Sequence, residues 1–116
     1  MKRAAGFCAI ALALGCGDLV FPERSPSIVG DIVEIGRDAP FGDAKTVWVK
    51  QDVSDQCGIV FLADQAFIGD RPDARLIRRR AFDHLDVGQR VRVWAGAIAE
   101  SCPAQGSADA IEILSD

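Results

Sequence analysis

Histidine is scarce in this sequence, since His84 is the only one among 116 residues. No Ser or Cys accompanies His84 in a nucleophile motif, and the G-x-S-x-G pattern of many hydrolases is absent. The aspartates between residues 52 and 73 fit no calcium-loop template in their spacing; they are Asp52, Asp55, Asp64, Asp70 and Asp73. The sequence therefore predicts no catalytic site, no metal site and no cofactor.

The N-terminal apolar run is also shorter than the roughly 20 residues that span a bilayer. It occupies residues 7–14 and follows basic residues 2 and 3, an order that is typical of an export signal. The run ends in Ala13-Leu14-Gly15-Cys16, which resembles a bacterial lipobox. The resemblance implies a signal peptide over residues 1–15 and an acylated Cys16 that anchors the protein in the cell envelope, facing the periplasm or the exterior. Ordinary secretion, with cleavage after a small residue such as Ala13, is the alternative.

Positive charge is scarce in the chain that would remain. Removal of residues 1–15 leaves 101 residues with 11 basic and 17 acidic side chains, a formal charge of −6. This length predicts one small domain, which we place at residues 28–116. Residues 16–27 are expected to form a tether, because prolines among polar residues exclude a helix or a central strand. A globally acidic exported chain is poorly suited to bind nucleic acid or anionic lipid through its overall field.

Cysteine occurs four times, and the four positions fit an exported protein. Cys8 would leave with the signal peptide and Cys16 would carry the lipid. Cys57 and Cys102 then remain as a candidate disulfide pair in an oxidising compartment. A metal or redox site is the alternative, but neither a C-x-x-C motif nor clustered histidines accompany these thiols.

Repeats, heptads and low-complexity tracts are absent, and the apolar residues follow the patterns of short strands. Val47 and Val49 alternate with polar neighbours, which predicts that they face the core while Trp48 and Lys50 face outward. In the first strand Ile28, Gly30 and Ile32 are in phase and Ile35 is one residue out of phase. Such a slip, in a strand that contains a glycine, predicts a bulge or a sharp bend.

Five strands are predicted, at residues 28–35, 46–50, 57–63, 89–99 and 108–114. Loops or turns are expected at residues 36–44, 51–56 and 102–106, and a helical turn at residues 83–88. Residues 69–72 are expected to interrupt the segment 64–82, of which only 74–82 is expected to form a short helix or strand. Five short strands, with the longest irregular connection between the third and the fourth, predict a small all-β barrel.

The order of these elements resembles an OB fold, a five-stranded Greek-key barrel. Residues 87–94, Val-Gly-Gln-Arg-Val-Arg-Val-Trp, and residues 100–105, Glu-Ser-Cys-Pro-Ala-Gln, are similar to a pattern in a family of small bacterial secreted and lipoprotein domains of unknown function. That pattern is Gly-Gln-x-Val, a Trp, then Glu-Ser-Tyr-Pro-x-Gln, so Cys102 stands at the usual Tyr position. Because the third and fifth strands of an OB fold run parallel side by side, the resemblance implies that Cys57 and Cys102 approach one another.

A local concentration of arginine contrasts with the acidic composition: it consists of Arg71, Arg75, Arg78, Arg79, Arg80, Arg90 and Arg92. Trp48 shares a strand face with Lys50, and Trp94 shares one with Arg92. These four are our candidate ligand-binding residues, because OB folds combine stacking and cationic side chains to bind single strands and oligosaccharides. The alternative is that each tryptophan covers an edge of the barrel beneath arginine side chains.

These observations predict a lipid-anchored, extracytoplasmic binding or structural module of the bacterial envelope, and not an enzyme. Its expected partners are the membrane, through the N-terminal lipid, and an envelope protein or a glycan; nucleic acid is not expected. One alternative is an OB domain that binds an anionic glycan or peptide with the Trp48 and Lys50 face. A small envelope hydrolase is the other.

Overall fold

Short strands of alternating apolar residues build this all-β protein. The computed structural model describes residues 21–36, 45–73 and 75–115, and these ranges contain seven strands and one turn of 3-10 helix. The strands are β1 (Ile28–Gly36), β2 (Thr46–Lys50), β3 (Ile59–Leu62), β4 (Phe67–Asp73), β5 (Leu76–Arg79), β6 (Arg90–Ala99) and β7 (Ala104–Ser115), and the 3-10 turn is Phe82–His84. Nothing helical in these ranges is long and apolar enough to cross a membrane. The predicted signal peptide, Cys16 and nearly all of the predicted 36–44 loop lie outside the described residues.

The strands form one mixed sheet in the order β3-β2-β1-β6-β7-β4-β5. In addition β3 pairs with β7, in parallel, so that β1, β2, β3, β7 and β6 form a closed circuit of pairings. The β4–β5 hairpin lies outside this circuit and is joined to it by the parallel pairing of β4 with β7. The long strand β7 therefore belongs to both parts: residues 104–107 pair with β3, and residues 110–113 pair with β4.

The main hydrophobic core lies on one face of the sheet. Val47 and Val49 are 0% exposed, which confirms the predicted inner face of β2, whereas Trp48 and Lys50 are half-buried. Burial of a large aliphatic side chain stabilises a fold by about 1.5–3 kcal/mol, so this cluster is the main source of stability. Its buried members are Ile28, Ile32, Val47, Val49, Phe61, Ala63, Ile68, Leu85, Val91, Val93, Ala95, Ala108, Ile111 and Ile113.

The β4–β5 hairpin corrects the prediction for residues 64–82. We expected residues 69–72 to interrupt the chain, but β4 runs through them from Phe67 to Asp73. The regular pairing of β4 with β7 ends at Asp70 and Ile113, and Pro72 lies within a register irregularity between β4 and β5. No regular strand pairing therefore requires a backbone N–H at Pro72, and the strand tolerates a proline there.

The start of β7 differs from the prediction, whereas the slip in β1 agrees with it. The predicted turn at residues 102–106 ends at residue 103, because residues 104–107 gain backbone partners in the parallel pairing with β3. The slip that the pattern predicted in β1 is present: the extra residue is Val33, between Ile32 and Glu34. Gly30 itself pairs regularly with Val91, so the bulge does not lie at the glycine.

Residues 21–27, which we expected to belong to the tether, pack against the sheet. Phe21 is 3% exposed and forms a second small core with Trp94 and Ala110 on the face opposite the main core. Phe67 and Ile77 pack against this cluster. The packed domain therefore includes this segment, because Phe21 finds an apolar site on the sheet. Residues 16–20 lie outside the described ranges.

Candidate functional site

The Trp48 ring is half-buried and fixed by the chain that follows it. Trp48 Nε1 donates a hydrogen bond of 2.8 Å to the carbonyl oxygen of Cys57, and Lys50 Nζ lies 5.3 Å from the ring centroid. Gly58 passes beside the indole at φ +64°, and a Cβ at this position would lie 2.8 Å from Trp48 Nε1. Trp48 therefore contributes to the fold and also presents part of its ring, with a cation beside it, to solvent.

The turn after β2 is held together by two aspartates. Asp55 accepts hydrogen bonds from the backbone N–H groups of Gln51 (2.9 Å) and Gly58 (3.0 Å), which lower the pKa of Asp55, the Gln51 bond most strongly. Asp52 accepts hydrogen bonds from the hydroxyl and the backbone N–H of Ser54, which lower the pKa of Asp52, the hydroxyl most strongly. These carboxylates thus shape the turn. Over the described ranges, no group of three or more His, Cys, Asp or Glu side chains lies where it could hold a metal ion.

The N-terminal segment covers the Trp94 ring, which is 3% exposed. Trp94 Nε1 donates a hydrogen bond of 2.7 Å to the carbonyl oxygen of Arg24. Phe21 stacks on the indole, with ring centroids 5.5 Å apart and an interplanar angle of 19°. This ring consequently has little surface left for a ligand while the segment is in place.

The structure does not bring the two tryptophans together. Trp48 pairs with Glu34 near the end of β1, whereas Trp94 follows Val93, which pairs with Ile28 at the start of β1. The six residue-to-residue steps from Ile28 to Glu34 correspond to roughly 20 Å along the strand. The four candidate ligand-binding residues are therefore divided into two separate pairs, Trp48 with Lys50 and Trp94 with Arg92.

Asp70 binds two arginines of the predicted basic cluster. Arg78 approaches Asp70 in bidentate fashion, with Nε 3.1 Å from Oδ1 and Nη2 3.0 Å from Oδ2, and Arg80 Nη1 lies 2.8 Å from Oδ2. The hydrogen bonds from Arg78 are the main reason that the pKa of Asp70 is lowered, and the same bonds raise the pKa of Arg78. One carboxylate therefore balances one of these two cations.

Glu112 binds a second pair of arginines and is 3% exposed. Arg71 Nε lies 3.0 Å from Oε2, and Arg92 Nη1 lies 3.0 Å from Oε1. The Arg71 guanidinium also lies 5.0 Å from the centroid of the Phe21 ring. Arg92 is thus engaged with a buried carboxylate beside Trp94, so both members of that candidate pair have partners within the domain.

The other arginines of the cluster have different surroundings. Arg90 forms a 3.2 Å salt bridge with Asp31. Arg75 and Arg79 are exposed and form no salt bridge with any residue that the structure describes, although the Arg79 guanidinium lies 5.6 Å from the centroid of the Phe67 ring.

An open cleft of about 710 Å³ lies between the β4–β5 hairpin and the segment that leads into β6. Charged side chains line both sides, among them Asp70, Arg80 and Asp83, and His84 lies on the second side. The buried Gln89 shapes that side, since its Nε2 donates a 2.8 Å hydrogen bond to the carbonyl oxygen of His84. Because its lining carries charges of both signs, the cleft does not favour either anionic or cationic ligands.

Cys57 and Cys102 lie side by side. Their Sγ atoms are at disulfide-bonding distance, and their Cα atoms are 5.0 Å apart. Cys57 precedes β3 and Cys102 precedes β7, so the pair lies where the parallel pairing of these strands begins.

A family model described as "Protein of unknown function (DUF3221)" matches residues 43–115. The chain belongs to this family. The match covers 73 of the 116 residues and includes all strands from β2 to β7, both tryptophans and the Cys57–Cys102 pair. It also contains residues 87–105, which carried the resemblance to a family of unknown function. No curated protein and no solved structure matches the chain.

Sequence reasoning did not find two residues that organise the face of Trp94, namely Phe21 and Glu112. The signal for Phe21 was the apolar run Leu19-Val20-Phe21 within the segment predicted to be a tether. Glu112 had no signal of its own, because a polar residue between Ile111 and Ile113 is the pattern of any strand residue that faces solvent.

Proposed function

We propose that this protein is a lipid-anchored, extracytoplasmic binding or structural module of the bacterial envelope and that it does not act as an enzyme. The observation that carries the proposal is the Cys57–Cys102 pair at disulfide-bonding distance. Disulfides persist in oxidising compartments, so this pair favours export, as does the N-terminal sequence that ends at Cys16.

The strand pairings support an OB-like barrel as the scaffold of this module. The circuit β1-β2-β3-β7-β6 joins five strands in the order of an OB fold, in which the first strand pairs with the second and the fourth, and the third pairs in parallel with the fifth. Such barrels present ligand sites on their outer strands and loops. The β4–β5 hairpin is then an insertion between the third and fourth barrel strands.

Acylation of Cys16 is the step to test. Cells expressing the full chain are grown with labelled fatty acid, and we expect label in the wild type and none in Cys16→Ser. Cys8→Ser is the matched control, because it removes a cysteine of the predicted signal peptide, and it should keep the label. Absence of label from the wild type, or equal label in Cys16→Ser, would overturn the proposal.

A second candidate function is the binding of an anionic glycan or peptide at the Trp48 and Lys50 face. Lys50 Nζ lies beside the half-buried ring and forms no salt bridge with any residue that the structure describes. The test is titration of the protein with panels of anionic glycans and acidic peptides. Lys50→Gln should abolish binding without unfolding the domain, while Lys45→Gln should leave it intact. Binding that survives Lys50→Gln would exclude this face.

A further inference from the structure

The N-terminal segment meets the domain at the β4–β5 hairpin. The Phe21 ring lies 5.3 Å from the Phe67 ring, centroid to centroid, and the Arg71 guanidinium covers it. Gly69 makes this approach possible, because a Cβ there would lie 3.2 Å from Phe21 Cζ and 3.0 Å from the Arg78 carbonyl oxygen. Three positions of β4 therefore form the seat of Phe21.

Cys16 lies only five residues before Phe21. Even a fully extended chain of this length spans at most about 18 Å. If Cys16 carries a lipid, as proposed above and as this inference requires, the seat of Phe21 stays within that reach of the membrane.

The hairpin at this seat has a charge opposite to that of the rest of the chain. Residues 67–80 contain five arginines and two aspartates, a local charge of +3, whereas residues 16–116 together have a charge of −6. Arg75 and Arg79 are exposed and form no salt bridge with described residues. Leu76, next to Arg75 in the chain, is 57% exposed, so the hairpin combines cations that form no described salt bridge with an apolar side chain.

The local charge of the hairpin, and not the net charge of the chain, determines its electrostatic interaction with a nearby surface. At physiological ionic strength, exposed charges are screened over about 8 Å, so acidic residues farther away contribute little. Each Lys or Arg near an anionic lipid surface contributes about 1 kcal/mol, and apolar side chains enter the boundary between headgroups and acyl chains. A second copy of the chain is a poor occupant, because pairing two β5 edges would bring arginines together.

We propose that the β4–β5 hairpin lies on the anionic phospholipid headgroups of the membrane that holds the N-terminal lipid. Arg75 and Arg79 contact phosphate groups, and Leu76, which lies next to Arg75 near the hairpin turn, enters the interface there. The Trp48 and Lys50 face, on the other side of the circuit in strand order, remains available to a partner in the envelope.

The test uses the full chain, purified from the envelope and reconstituted into vesicles of phosphatidylcholine alone or of phosphatidylcholine with phosphatidylglycerol. Hydrogen exchange of the backbone amides in Leu76–Arg79 is compared between the two. We expect exchange to slow at least fivefold in the anionic vesicles, the factor that corresponds to about 1 kcal/mol from one arginine, and high salt to remove the effect.

Matched variants show whether the hairpin carries the effect. Arg75→Gln with Arg79→Gln should remove the slowing, and Lys45→Gln with Arg90→Gln, which removes the same charge elsewhere, should keep it. Equal exchange in both vesicle types, or equal loss in the two variants, overturns the proposal. The same exchange measurement on native envelope membranes identifies a protein partner. Slower exchange there, but not in the anionic vesicles, also overturns the proposal and indicates an acidic protein partner. Failure of the chain to attach to phosphatidylcholine vesicles is a different result, because it contradicts the lipid anchor.

Discussion

Phe21 joins the first described residues of the chain to the sheet through one aromatic ring. It contacts Trp94, Phe67 and the guanidinium of Arg71, which in turn binds the buried carboxylate of Glu112. Because Trp94 Nε1 also bonds to the Arg24 carbonyl oxygen, the segment is held by polar and apolar contacts at once. Arg24 and Ser27 add further bonds, to Asp109 and to the Ala95 backbone, so Phe21 is the apolar part of an attachment made at several points.

Replacement of Phe21 by Ala tests this attachment. We expect the free energy of unfolding to fall by about 3 kcal/mol, the usual cost of truncating a buried aromatic ring, and Trp94 emission to shift as water reaches the indole. Urea unfolding followed by fluorescence measures both. Val53→Ala is the control, because Val53 is 106% exposed, and it should leave stability unchanged. An unaltered unfolding midpoint in Phe21→Ala would mean that the segment adds nothing to the fold.

Asp70 makes stability depend on pH in the acidic range. Its pKa is lower in the folded protein than the ordinary value of 3.8, mainly because of the hydrogen bonds from Arg78. The stabilisation is therefore complete above that ordinary value and is lost as the pH falls through the lower folded pKa. Chemical unfolding at a series of pH values should show this loss, with a shallower slope in Asp70→Asn. Glu100→Gln, which removes an exposed carboxylate, should keep the wild-type slope; equal slopes in all three proteins would contradict the account.

Among the elements, strands with simple alternation were predictable and the hairpin was not. Val47 and Val49, and Val91 and Val93, repeat at every second position, so their strands and inner faces followed from the sequence alone. The hairpin has Gly69 and Pro72 in β4 and arginines in β5, which locally indicate a loop. Its strand conformation depends on pairing with β7, some 40 residues later in the chain, and local patterns do not contain that information.

The candidate sites show the same division between local and distant information. The outward position of Trp48 followed from alternation with the buried valines. The covering of Trp94 by Phe21 depends on contacts between residues 73 positions apart, and no periodicity predicts those.

The turn between β2 and β3 depends on the conformation of Gly58. Gly58→Ala should lower the free energy of unfolding by more than about 1 kcal/mol, because φ is +64° and the new Cβ would lie 2.5 Å from the Val49 carbonyl oxygen. Gly96→Ala is a matched control, since an added Cβ there meets no atom within 4 Å. Thermal unfolding of the two variants decides the matter. Comparable effects at both positions would show that glycine acts only through the unfolded chain.

At the scale of the whole molecule, Cys57 and Cys102 link two distant turns. We expect mass spectrometry of the non-reduced protein from the envelope to show one linked peptide pair and the loss of two hydrogen atoms. The chain-entropy account gives roughly 4 kcal/mol for a loop of 45 residues, so Cys57→Ser with Cys102→Ser should be destabilised by about that amount. Reductant should destabilise the wild type similarly and leave the double variant unaffected. Free thiols at both positions in the isolated protein would contradict the disulfide.

The last strand, β7, gives the order in which the molecule is able to assemble. It supplies the parallel partner of β3 and the parallel partner of β4, as well as an antiparallel edge for β6, and it follows all the other described strands in the chain. Until residues 104–115 have been synthesised, β3 lacks the partner that closes the circuit and β4 lacks the partner that joins the hairpin to it. Such distant pairings make folding slow and concentrate it in one late, cooperative event. A chain that lacks this strand is therefore expected to be a target for proteases along its whole length, whereas the finished domain withstands them.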